Sequence, residues 1–177
     1  MKMACDDEMT LWVDGVQTDV DGQGVWNKLS TLKIPSTTQV LGIKCVNIRG
    51  SYGIMAAVED AAGNNVLKTD DSWSCSNTTD DGWEKADFVE GHYWNAASSY
   101  AANSSYIADG APWSSMSANK QIIWTDSPAD TTVYCRKVLP PTGNPSSFFF
   151  FHTGHGKGYF SPKGWRGAKD KHCLCAL

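Results

Sequence analysis

An antiparallel β-sandwich of jelly-roll type is the fold this sequence predicts, and three observations predict it. No segment keeps a helical period over three turns. Apolar residues instead alternate in short runs bounded by Gly, Asp, Asn, Ser and Pro, which is the pattern of strands joined by turns. Eight Trp, six Tyr and six Phe in 177 residues supply the aromatic content that pleated, half-buried surfaces favour.

The first run is "CDDEMTLWVDG", from Cys5 to Gly15. Met9, Leu11 and Val13 share one face, and Thr10, Trp12 and Asp14 share the other, so a half-buried strand is expected from Met9. Asp14-Gly15 predicts a tight turn, because such turns need positive φ. Asp6, Asp7 and Glu8 are left unexplained. Three adjacent carboxylates repel one another, and either full solvation at a sheet end or a bound cation must offset that cost.

Leu32 and Ile34 alternate in the turn-rich stretch before Pro35. "QVLGIKCVNI" and "YGIMAAVED" read as strands, with "RGS" as the turn of a hairpin between them. A Gly-Asn-Asn turn and a short strand follow in "AAGNNVLKTDDSWSCS". Residues 77–118 are rich in Ser, Asp, Gly, Trp and Tyr without regular periodicity, and long irregular stretches inside compact domains are often functional. "KQIIWTD" and "TTVYCRKVL" are the last clear strands.

"PPTGNPSS" reads as a linker, which divides the chain into a domain at 1–139 and a low-structure basic tail at 140–177. Charge divides the same way. Up to Leu139 there are 10 Lys and Arg against 18 Asp and Glu, and beyond it 5 against 1. An acidic body argues against nucleic acid as a partner, and the longest apolar runs are too short for membrane insertion. In the tail, Phe148–Phe151 would dock loosely on the sandwich. His152, His155, His172, Cys173 and Cys175 fit no established metal spacing, and Leu174 stands where a prenylation box needs cysteine.

Cys5, Cys45, Cys75 and Cys135 are dispersed through the body, and four cysteines allow three disulfide connectivities. With the sequons at Asn77 and Asn103 they favour an oxidising, extracellular setting. The N-terminus carries no apolar signal-peptide core. A domain opening directly on a strand is expected to lack a leader and one or two preceding strands, and the open edge would favour self-association.

Four stretches in order, "CDDEMTLWVDG", "TQVLGIKCVNIRGSYGIMAAVED", "TDDSWSCS…GWEKADFVEGHYWNAA" and "IIWTDSPADTTVYCRKVL", resemble galactose-binding-like jelly-roll domains, which accompany glycoside hydrolases and occur in secreted animal proteins. The likeness covers about Met3 to Leu139 and keeps Trp124, Thr125, Val133, Tyr134, Arg136 and Lys137, with Ile122 where a Trp often sits. The first stretch is also similar to the PA14 family, whose sugar-binding members use an adjacent Asp pair to coordinate calcium, which in turn coordinates sugar hydroxyls. That similarity implies Asp6 and Asp7 as Ca2+ ligands; the family's further ligand loop has no match in this sequence, and Asn47, ahead of Asn64 and Asn65, is the candidate for an amide oxygen.

The expected function is non-catalytic carbohydrate binding, calcium-assisted, with a glycan or glycoprotein as partner. Sugar sites pair an aromatic platform with a few polar groups. Tyr93, Trp94, Asn95 and Trp113, with Arg49 at the hairpin turn, are the candidates. Trp73 and Trp124 lie within strand motifs and are expected in the core, whereas the position of Trp12 is open. The alternative is a structural or adhesion module without a sugar site. Catalysis is not expected. Asp6, Asp7, Glu8, Glu59, Asp60, Asp70 and Asp71 offer carboxylates, but acidic doublets at strand ends are usually solvated, and no nucleophile-and-base pair is visible.

Overall fold

The computed structural model describes residues 1–20, 28–101, 116 and 121–140. Among these there is no helix, and twelve strands form two antiparallel six-stranded sheets. They are β1 (Lys2–Asp6), β2 (Glu8–Val13), β3 (Val16–Thr18), β4 (Ser30–Thr31), β5 (Val40–Val46), β6 (Gly53–Glu59), β7 (Asn65–Lys68), β8 (Ser74–Ser76), β9 (Asn95–Ala96), β10 (Ser98–Ala101), β11 (Gln121–Trp124) and β12 (Thr132–Val138). The first sheet runs β10-β11-β6-β1-β4, with β7 also on β6, and the second runs β3-β2-β5-β12-β8-β9. An all-β sandwich is therefore the architecture. The linker and tail readings, and Trp113, lie outside the described residues.

The acidic opening contains a strand that alternation from Met9 does not reveal. Lys2–Asp6 pairs with β6 along its length and with β4 at Lys2 and Met3, whereas Glu8–Val13 belongs to the other sheet. The chain thus passes between sheets at Asp6–Asp7. Among the described residues β1 has a neighbour on each side at Lys2 and Met3, and β6 alone beside Ala4–Asp6.

The expected hairpin between "QVLGIKCVNI" and "YGIMAAVED" is a correction. Both strands exist, but β5 pairs with β2 and β12, and β6 pairs with β1, β7 and β11, in opposite sheets. Six residues, Asn47–Tyr52, carry the chain across the sandwich, not through a tight turn. Burial explains the arrangement. Val40–Ile43 and Gly53–Ala57 are consecutively buried, which requires cover on both faces and suits central strands.

Between the sheets lie Met3, Cys5, Leu11, Ile43, Ile54, Trp73, Ile123, Trp124 and Val133, with Trp73 and Trp124 in the core as expected. Ala4, Met55, Ile122 and Met116 make a smaller cluster on the outer side of the first sheet. The outer side of the second sheet is covered by residues 78–94. Trp83 sits over Gly42, where an added Cβ would come within 3.0 Å of its ring. Trp12 and Tyr134 meet Trp83 edge-on, at centroid separations of 5.1 and 5.3 Å. Trp12 is therefore packed beneath a loop.

Arg136 pins that cover from below. It is 2% exposed, donating from Nε to the Trp83 carbonyl (2.9 Å), from Nη2 to the Lys85 carbonyl (2.8 Å) and from Nη1 to Glu90 (2.5 Å), with Phe88 against the guanidinium. A buried guanidinium is tolerated only when its donors are met, and three of its nitrogens are.

Two disulfides close the body, Cys5–Cys45 between the sheets and Cys75–Cys135 between paired strands of the second sheet. They mark an oxidising environment. At the β2–β3 corner, Asp14 and Gly15 both take positive φ, 51° and 81°, and the Asp14 carboxylate accepts from the Gln39 and Val40 amides.

Replacing Cys5 and Cys45 by Ala is expected to cost about 4 kcal/mol, the scale for freeing a ring of this size in the unfolded chain. Urea unfolding followed by far-UV circular dichroism measures it. Arg136→Met is expected to destabilise by about 3 kcal/mol, because two carbonyls and Glu90 lose a buried partner. Its unfolding midpoint, and the emission of Trp83 and Trp94, report the loss.

Candidate functional site

One end of the sandwich collects most of the polar residues that the sequence singles out. There β1 ends at Asp6, β5 ends at Val46, β8 ends at Ser76, β11 ends at Trp124 and β12 begins at Thr132. Register places these ends side by side: Asp6 is opposite Gly53, Glu8 is opposite Val46, and Val46 is opposite Thr132.

Asp6 and Asp7 occupy the crossover. The peptide bond joining them is cis, and their side chains are hydrogen-bonded to each other. Asp6 is buried, and its pKa is raised to about 7 by that burial, by the hydrogen bond with Asp7 and by the Asp7 charge. The Asp7 amide donates to the Val46 carbonyl (2.8 Å), and its carboxylate accepts from the amides of Ile48 (2.8 Å) and Arg49 (3.4 Å). Asn47 lies between these partners. Its amide donates to the Thr131 carbonyl (2.8 Å), and its side-chain Oδ1 is buried with no hydrogen-bond partner among the described residues. A buried carbonyl oxygen without a donor is costly, and a cation relieves that cost as well as a proton donor does. Two carboxylates and an amide oxygen form a hard-oxygen set suited to Ca2+. No group of three or more His, Cys, Asp or Glu gathers among the described residues, so protein carboxylates would supply only part of a coordination shell.

Beside this pair, the loop from Thr125 to Thr131 links the crossover to a cavity of about 220 Å3. Asp130 accepts from Thr125 Oγ1 (2.6 Å) and from Asn77 Nδ2 (3.0 Å), and the adjacent Thr131 holds Asn47. Asn77, His92, Tyr93, Asn95 and Asp126 also line the cavity, above the Cys75 end of its disulfide. The His92 and Tyr93 rings lie 3.7 Å apart, and Tyr93 is 53% exposed.

The remaining predicted residues divide. Arg49 is exposed at the rim, and its amide donates to the Asp7 carboxylate. Tyr93 and Asn95 face the cavity. Trp94 does not serve as an open platform: it is 8% exposed, stacked on Trp83 and edge-on to Phe88. The hydrophobic gain from covering the second sheet accounts for its position. Asn64 is tied to Asp60 in the β6–β7 turn, at the opposite end from Asp6, and neighbouring Asn65 begins β7 there. The other acids hold structure. Glu59 pairs with Lys2 (2.9 Å), Asp60 accepts from the Ala62 and Asn64 amides, and Asp70 caps a turn at Ser72. Asp126, Asp130 and Asn77 are the residues that sequence reading did not single out for the site. The sequon names Asn77, but only the fold brings it to the acids of "TDSPAD".

Fold and site together define a disulfide-tied β-sandwich with a polar, oxygen-rich end. Comparison with protein-family models, curated proteins and solved structures returned no match.

The raised pKa of Asp6 has a direct consequence for the metal-free protein. Between about 4 and about 7, folded Asp6 keeps a proton that the unfolded chain releases, so its contribution to stability is full at low pH and lost as pH rises through 7. Thermal melting in EDTA should therefore show the gap between wild type and Asp6→Asn moving against wild type from pH 5 to pH 8.

Proposed function

We propose that this domain is a non-catalytic carbohydrate-recognition module of an extracellular protein, calcium-assisted, with the galactose-binding-like jelly roll as its scaffold. The observation that carries the reading is the meeting of Asp6, Asp7 and the unpartnered Asn47 Oδ1 at one end of the sandwich. Asp6 and Asp7 would hold the ion, and Asn47 would add its carbonyl oxygen. The Ile48 amide fixes the orientation of Asp7. Calcium takes six to eight oxygens, so three side chains leave positions that vicinal sugar hydroxyls can fill. Arg49 and the cavity residues stand at the same rim, where hydroxyls beyond the ion would meet donors and acceptors.

The four dispersed cysteines all being paired supports an extracellular setting, since such bridges persist where thiols are oxidised. The structural roles of Glu59, Asp60 and Asp70 support a binding role over a hydrolytic one.

The decisive experiment is a glycan array with the full chain in calcium and in EDTA, beside thermal melting. Calcium at a hundredfold excess over its Kd is expected to stabilise by about 3 kcal/mol. Asp6→Asn with Asp7→Asn should remove both that gain and glycan binding. A folded protein that binds no glycan in either condition leaves a structural or adhesion module as the better account.

A further inference from the structure

We infer that the cavity between Asn77, Tyr93 and Asp126 is a second sugar subsite, and that the ligand is an uncharged oligosaccharide lying along the rim from this cavity to the Asp6–Asp7 pair. The inference rests on the carbohydrate reading above and specifies its ligand.

The chemistry of the cavity selects the ligand class. Its walls carry carboxylates from Asp126 and Asp130, amides from Asn77 and Asn95, the His92 ring and the Thr125 side chain, and among the described residues no Lys or Arg lines it. A hydroxyl-rich neutral ring can donate to the carboxylates and accept from the amides. A sialic or uronic acid, or a sulfated sugar, would place an anion against two carboxylates with no lysine or arginine among the described lining residues to offset it, and like charges at that range repel. One wall is apolar: the exposed Tyr93 ring, braced by His92 at 3.7 Å, presents a face to the C–H side of a pyranose. The volume, about 220 Å3, suits one ring and not a chain of them.

Topology gives the ligand its length. In the second sheet Asp7 leads into β2, Asn47 follows β5, Thr131 precedes β12 and Asn77 follows β8, and these four strands are consecutive neighbours. Three inter-strand steps separate Asp7 from Asn77, about 14 Å at the usual spacing. One pyranose cannot reach both ends. The path between them is rigid, because Asn47 is held by Thr131, and Asp130 holds both Asn77 and Thr125.

The test is calorimetry with the full chain in calcium, using neutral trisaccharides of gluco, galacto and manno configuration, their component monosaccharides, and sialylated or sulfated counterparts. Neutral trisaccharides should bind at least tenfold more tightly than the monosaccharides and than the acidic forms. Tyr93→Ala should weaken the trisaccharide about tenfold, the worth of one ring contact, and Asn95→Ala should weaken it in the same direction. Both side chains are exposed, so melting temperatures and calcium affinity measured without sugar should match wild type. Calcium-dependent binding that is indifferent to both substitutions, equally tight for monosaccharides or stronger for acidic glycans overturns the second subsite and leaves the calcium reading standing. Absence of all glycan binding by the folded protein overturns both.

Discussion

The bridge between Cys5 and Cys45 is the constraint on which the rest of this molecule depends. It joins β1 of one sheet to β5 of the other, one residue before the chain crosses between them. With that point fixed, Asp6 and Asp7 must make the crossing beside the end of β5. Their carboxylates are brought together there, and one of them is buried. A pair of acids in free loop would separate and hydrate. Here the backbone withholds that escape, and the raised proton affinity of Asp6 is a property of the fold and not only of the residues.

The same end gains its other groups through the second sheet. Because β5, β12 and β8 are neighbours, their ends line up Asn47, Thr131 and Asn77 without any long-range side-chain reach. The cover over that sheet works separately. Arg136 and the rings of Trp83 and Trp94 hold residues 78–94 down, and the chain emerges from this packing at Tyr93 and Asn95 with their side chains at the cavity. Packing and exposure are thereby divided between adjacent residues: Trp94 is committed to packing, and Tyr93 to the surface.

Sheet class, the main strands and the core placement of Trp73 and Trp124 were legible in the sequence because burial imposes a period of two and turns require Asp, Asn or Gly. β1 was hidden because its residues are buried on both sides, so Met3, Ala4 and Cys5 do not alternate. The expected hairpin failed for a related reason. Two neighbouring runs, each buried throughout, read alike whether they pair or face one another across the core. Asp6, Asp7 and Asn47 were legible as oxygen ligands, whereas the orphaned state of Asn47 Oδ1 exists only once the Asp7 carboxylate and the Thr131 carbonyl have claimed the Ile48 and Asn47 amides around it. Trp94 was misread as a platform since composition cannot separate a ring that covers a sheet from one that faces solvent.

The two disulfides also set an order of events. Their rings are sequential, 5 to 45 and 75 to 135, and do not interlace. A chain threaded from its N-terminus into an oxidising compartment has both partners of the first ring before either cysteine of the second arrives. The tie between the sheets can be made while β12, which completes the centre of the second sheet, is still unsynthesised. Delivery of that kind would favour the pairing seen here by timing, ahead of any selection by stability among the three connectivities open to these four cysteines.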